Sequence, residues 1–169
     1  RHAEEPTGSS VHLNHRGFKR AKVISEFFKQ RLGGMELGGL YAQGAKEHSS
    51  SRRSVETLEP TAKEFDLKIE THYEKGDGVK LAEDLLKDKS LKGKAIVIVW
   101  GSDEVGPIAR TFGVKFITAG LNWDKAIFNR AWLIQLDDAG KALHFSDVAQ
   151  HILKGDSDSS TNSTIAIPP

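Results

Sequence analysis

Ala95-Ile96-Val97-Ile98-Val99-Trp100-Gly101-Ser102 is the stretch that sets the fold class. Its first six residues are apolar without a break, and four of them are β-branched. Such side chains are stiff at the first torsion and pack well on a pleated surface. A run of this kind without polar alternation reads as a central strand covered on both faces, the habit of parallel sheets. Gly101-Ser102 ends the strand, and a helix is expected from about Val105 to Phe112.

Working outward, the same alternation of strand and helix recurs. Upstream, Gly78 to Lys87 reads as a helix with Val79, Ala82, Leu85 and Leu86 inward. Leu67 to His72 alternates like a half-buried strand. Arg53 to Phe65 has a helical stripe of Val55, Leu58, Ala62 and Phe65, with a kink expected at Pro60. Leu40-Tyr41-Ala42 is a short strand between glycine turns at Gly33-Gly34 and Gly38-Gly39 and a polar loop from Gln43 to Ser51. Gly17 to Leu32 is a helix with Phe18, Ala21, Ile24, Phe28 and Leu32 on one face. Arg1 to Asn14 is a loop. Downstream, Ala131 to Leu136 and Ala142 to Phe145 make a hairpin around Asp137–Lys141. From Asp156 the chain is rich in Ser, Asp and Thr and is expected to lack structure, giving one domain over 1–156 and a tail over 157–169. The whole pattern is α/β, layered on a mostly parallel sheet. Ligands of such sheets bind beyond the carboxyl ends of the strands, where Arg1-His2 and Gly101-Ser102 would both lie.

Bulk composition narrows the function classes. The 169 residues carry 24 Lys and Arg against 23 Asp and Glu, a net charge of +1. That balance argues against nucleic acid or an anionic membrane as partner, so any anion site must be local. No apolar run reaches membrane-spanning length. With no cysteine there is no disulfide, thiolate or Cys-type zinc chemistry. No signal peptide is visible, and the compartment stays open between cytoplasm and secretion. The chain opens directly on Arg1-His2, and an active-site histidine normally follows a buried strand, so a strand, and any targeting signal, is expected upstream of Arg1.

Arg1-His2-Ala3-Glu4 opens the chain, and several motifs follow it in order. Leu13-Asn14-His15-Arg16-Gly17-Phe18-Lys19-Arg20-Ala21 has the form Leu-x-x-x-Gly-x-x-Arg-Ala. Arg53 stands four residues before Thr57. Ile98-Val99-Trp100-Gly101-Ser102 is a strand running into a loop. Phe128-Asn129-Arg130-Ala131-Trp132 and Gln150 to Ser157 close the series. In this order the motifs resemble the histidine phosphatase (phosphoglycerate mutase-like) superfamily, over nearly the whole chain. The closing segments are similar to a fungal phosphoglycerate mutase-like subgroup.

The resemblance implies a three-layer sandwich of the phosphoglycerate mutase type and a phosphomonoesterase working through a phosphohistidine at His2, with no cofactor and no metal. Arg1 and Arg53 would bind the phosphate of a small phosphorylated substrate, or phosphate itself. A phosphate monoester carries about two charges near neutrality, and arginines meet it with bidentate, charge-assisted hydrogen bonds. The second histidine of the family falls on Ser102, which donates one neutral hydrogen bond and supplies no positive charge. That departure, with the acidic Asp103-Glu104 pair, keeps a second reading open, a pseudophosphatase that binds a phospho-ligand without turning it over; the Asn162-Ser163-Thr164 tripeptide and the segment expected upstream leave room for a third, a secreted interaction protein. Oligomeric state is not legible.

The general acid is open among Glu4, Asp77, Asp103 and Glu104, with Asp103 and Glu104 also readable as carboxylates favoured at a helix N-terminus. His12 and His15 are read as solvated rather than as a metal pair, and Arg52 as a surface charge. Trp100, Trp123 and Trp132 are read as core and pocket wall. Asn162-Ser163-Thr164 has the form of a glycosylation acceptor, which matters only in a secreted protein.

Overall fold

A computed structural model describes residues 1–45, 51–115, 123–157 and 163–166. The first helix, α1, is His15–Leu32. Asn14 starts it: its side-chain oxygen accepts from Gly17 N at 2.9 Å, satisfying one of the amides that a helix start leaves free. Gly33, at φ 56, ends it in the left-handed region that suits glycine. Ala21, Ile24 and Phe27 are buried, whereas Phe18 is 42% exposed and leaves the expected stripe. Gly17 meets the N-terminal loop. A Cβ there would lie 2.3 Å from the Glu4 carbonyl oxygen, so only glycine lets the loop cross the helix at this point.

Strand β1 is Leu37–Ala42, followed by α2 over Arg53–Phe65 and the two-residue β2, Ile69–Glu70. Gly38 and Gly39, expected in a turn, therefore lie within a strand. The helix α2 runs through Pro60. Next come α3, Gly78–Lys87, a short 3-10 turn at Lys89–Leu91, β3, Ala95–Val99, and α4, Ser102–Thr111. Within α3, Leu81, Ala82 and Leu85 are buried, while Val79 and Leu86 face outward at 42% and 37% exposure.

The three strands form a parallel sheet in the order β2-β1-β3. Among the described residues β1 is thus the middle strand, and β3, expected at the centre, has β1 as its one strand neighbour and is half-buried over most of its length. Burial in the core is still shared by both faces. Leu40, Ala42, Val97 and Val99 pack with Leu58 of α2 and Phe28 and Leu32 of α1. Tyr41, Ile96 and Ile98 pack on the other side with Leu81 and Leu85 of α3 and Ile108 and Phe112 of α4. Period-two alternation along each strand sends successive side chains to these two clusters.

The chain then builds a second sheet. β4, Arg130–Leu136, pairs antiparallel with β5, Ala142–Ala149, through the expected turn. Asp137 N donates to Lys141 O at 2.8 Å across it. Trp132, Ile134 and Phe145 pack the second sheet against Ala109 and Val114. β6, Ser163–Ala166, adds a third antiparallel strand beside β5. Part of the segment expected to lack structure is therefore a strand, and Asp156 belongs to the ordered body. Asn162 of the glycosylation tripeptide lies outside the described residues. The protein is thus α/β with four α-helices among the described residues, one parallel sheet and one antiparallel sheet. No helix among the described residues is long and apolar enough to cross a membrane.

Candidate functional site

The N-terminal segment is clamped between the end of β3 and the first turn of α2. His2 N donates to Trp100 O at 3.1 Å. Ala3 N donates to the Thr57 hydroxyl at 2.9 Å, and that hydroxyl donates to Arg53 O at 2.7 Å. Thr57 is fully buried, so one side chain sets the spacing between His2 and Arg53. At the ends of β1 and β3, Gln43 N donates to Val99 O at 3.1 Å, and Gly101 N donates to the Gln43 side-chain oxygen at 3.0 Å. His2 and Gly101 therefore meet at the carboxyl ends of the parallel strands, the place anticipated for a ligand site.

The His2 ring is buried, with Nδ1 2.8 Å from Ala3 O. A carbonyl oxygen only accepts, so Nδ1 carries the proton and Nε2 the lone pair. Arg1 Nη2 lies 3.3 Å from that Nε2. Burial disfavours the charged ring, and the Arg1 and Arg53 charges add to it; together they outweigh the Ala3 bond and lower the pKa to about 3. The ring is neutral throughout the physiological range.

Arg1 is anchored on its other side. Its Nη1 donates to Lys125 O at 2.6 Å, and its guanidinium carbon sits 4.0 Å over the Phe128 ring, a cation–π contact. Burial and then the Arg53 charge lower its pKa to about 10, against the pull of the Asp103, Glu4 and Asp124 carboxylates, so it stays charged. Arg53 donates from Nη2 to Ser10 O at 3.0 Å. Between the two arginines stands the Glu5 carboxylate. One oxygen accepts from Arg1 Nη2 at 3.0 Å and the other pairs with Arg53 Nη1, 3.9 Å from His2 Nε2. Among the described residues, the Nε atoms of Arg1 and Arg53 are buried without a hydrogen-bond partner.

The chain matches no known family model, no curated protein and no solved structure.

Of the residues singled out from sequence, Arg1, His2 and Arg53 converge. Glu4 does not join them. It is buried, and it accepts from Arg20 Nε at 2.9 Å, Arg20 Nη2 at 2.7 Å and Arg16 Nε at 3.0 Å, which makes it a scaffold carboxylate rather than a proton donor. Asp156 completes that network, accepting from Arg20 Nη2 at 2.7 Å and Arg16 Nη2 at 2.8 Å. Gln150 accepts from Arg20 Nη1 at 2.9 Å. Ser102 opens α4 at 8% exposure. Its hydroxyl makes no hydrogen bond to Arg1, His2 or Arg53 among the described residues, and it is more enclosed than a cleft position.

The other carboxylates sort by contact. Asp77 accepts from Glu74 N at 2.9 Å. Glu104 accepts from Gly76 N at 2.9 Å and Gly78 N at 3.1 Å, capping the start of α3 rather than of its own helix. Asp103 pairs with Lys75 at 3.2 Å, and of the four it bears most strongly on the Arg1 charge. His12 turns to Glu56, its Nδ1 2.5 Å from the carboxylate, and His15 is exposed on the first turn of α1. Sequence reasoning missed Glu5, and it placed Thr57 and Phe128 in motifs without giving either a role in the site. A carboxylate one residue beyond an Arg-His pair was a visible signal for Glu5. Nothing local could have shown that Phe128 lies under Arg1.

Proposed function

We propose that the protein is a phosphomonoesterase of the histidine phosphatase type, with His2 as nucleophile and Arg1 and Arg53 as the phosphate clamp. The observation that carries this is the ring of His2. Its proton is tied to Ala3 O, its Nε2 lone pair faces the Arg1 guanidinium, and burial keeps it neutral. A neutral imidazole so oriented can attack phosphorus in line. The N–P bond forms as the P–O ester bond breaks, and the leaving alcohol takes a proton from solvent. Water then cleaves the phosphohistidine to phosphate and free His2. Both arginines stabilise the charge on the transferring oxygens, where most of the catalysis of phosphoryl transfer resides. The unmet Nε–H of Arg1 shares an edge with the Nη2 that meets Glu5, so a ligand with more acceptor oxygens than a carboxylate would find a further donor there. The packing of α1 and α2 on one face of the parallel sheet and α3 and α4 on the other agrees with a three-layer sandwich of the phosphoglycerate mutase type. Quenching the protein during turnover of an aryl phosphate should yield an acid-labile phosphoryl group on the peptide containing His2. No phosphate release and no such adduct, over a broad panel of monoesters, would rule turnover out.

Ser102 favours a second reading, a phospho-ligand-binding protein without turnover, because it offers one neutral donor where the resemblance implies a second histidine. Restoring a preorganised donor is worth about 100-fold or more in rate. Ser102→His is accordingly expected to raise turnover of a small monoester by about 100-fold. Because Ser102 is buried, the larger ring should cost about 1–3 kcal/mol of stability through overpacking, read from urea unfolding. A folded Ser102→His protein that binds phosphate and gains no rate would favour the binding reading.

A further inference from the structure

The phosphate clamp already holds an anion of the chain's own. Glu5 bridges Arg1 and Arg53 through its two carboxylate oxygens and stands 3.9 Å from His2 Nε2. A phosphoryl group held by the same two arginines would compete with Glu5 for these donors. The Glu5 backbone is fixed, because Asn14 Nδ2 donates to Glu5 O at 2.9 Å. The side chain is 30% exposed, and the chain beyond it is open, with Thr7 to Ser10 exposed. The carboxylate can therefore swing into solvent without moving the loop that carries it.

We propose that Glu5 is the specificity-determining residue of this pocket: an internal carboxylate ligand that a phosphoryl dianion displaces and that monoanions do not. The proposal rests on the phosphate-clamp reading given above. A side chain tethered beside its own site acts as a ligand at an effective concentration in the millimolar range or higher. An external carboxylate brings the same single charge and the same two acceptors, so it gains nothing over Glu5. A phosphate monoester brings about two charges and three free acceptor oxygens, enough to engage both guanidinium groups and the unmet Nε–H of Arg1. Glu5 and the incoming anion cannot share the clamp, because like charges a few ångströms apart repel strongly in a half-buried site.

The test is calorimetric titration of the full chain with inorganic phosphate and, separately, with acetate. Glu5→Ala should bind phosphate about tenfold or more tighter than the unmodified chain, the advantage expected when a millimolar internal competitor is removed. It should also bind acetate measurably, which the unmodified chain should not. Glu5→Gln keeps the size and loses the charge, and should shift both affinities in the same direction; it serves if the alanine variant does not fold. Asp103→Asn controls for simple loss of negative charge near Arg1 and should gain less than about threefold, as expected for an exposed charge. If the Glu5 variants gain no more than Asp103→Asn, or still reject acetate, the proposal is overturned while the clamp stands. If neither the unmodified chain nor the Glu5 variants bind phosphate, the clamp reading itself fails.

Discussion

His2→Ala is expected to lower phosphate release by a factor on the order of 10,000 or more, the scale seen when a catalytic nucleophile is deleted. Inorganic phosphate should still bind within about tenfold of the unmodified protein, because Arg1 and Arg53 supply most of the charge-assisted hydrogen bonds. The split between rate and binding is what separates a nucleophile from a residue that merely helps hold the anion. If His2→Ala turns over at the unmodified rate, the chemistry lies elsewhere. The ring also has a signature in the free protein. With its pKa lowered to about 3 by burial and the neighbouring arginine charges, its carbon-bound protons should not shift between about pH 8 and about pH 5, where an ordinary histidine titrates. A transition near 6.5 in nuclear magnetic resonance would show that the ring is solvated and that the site is more open than described.

Arg20→Ala is expected to destabilise the fold by about 3–5 kcal/mol, measured by urea or thermal unfolding. The Arg20 side chain is 2% exposed between Glu4 and Asp156, at 10% and 2%. Removing it leaves two buried carboxylates facing each other, and stranded buried charge is what makes breaking such a pair costly. Arg16, 43% exposed, still touches both carboxylates, which places the loss toward the lower end. Arg20→Ala combined with Asp156→Asn should be less damaging than the two single changes added together. Strict additivity, or a loss under about 1 kcal/mol, would mean that the network does not join the N-terminal loop, α1 and the segment after β5.

The same network gives a pH dependence. Burial alone would raise the Asp156 pKa, but the hydrogen bonds from Arg20 and the Leu153 amide hold it down at about 2, against 3.8 for a free carboxyl. A depressed acid stabilises the fold above 3.8, and that contribution is lost as pH falls through 2. His2 acts in the same sense. The unfolded chain takes up its proton below 6.5 while the folded chain does not until about 3, so acid penalises the fold across that interval.

The α/β class, α2 and the β4–β5 hairpin were legible in the sequence, because each rests on local periodicity and turn chemistry. So were Arg1, His2 and Arg53, through the order of motifs that resembles one superfamily. Gly17 and Arg20 belonged to those motifs, but their reason was not visible: one lets the Glu4 carbonyl approach α1 and the other neutralises Glu4 and Asp156. Tertiary structure alone decided the rest. Strand order is a long-range property, so an apolar run such as Ala95–Val99 announces a strand without saying where in the sheet it lies. Gly38 and Gly39 hid the first half of β1, of which only Leu40–Ala42 was expected as a strand, since local preference opposes what pairing with β3 supports. Glu4 became scaffold and Glu5 became the anion in the clamp because two arginines from α1 reach the first and Arg53 of α2 reaches the second. Adjacent residues in the chain were thus given opposite roles by partners that only the folded packing brings near.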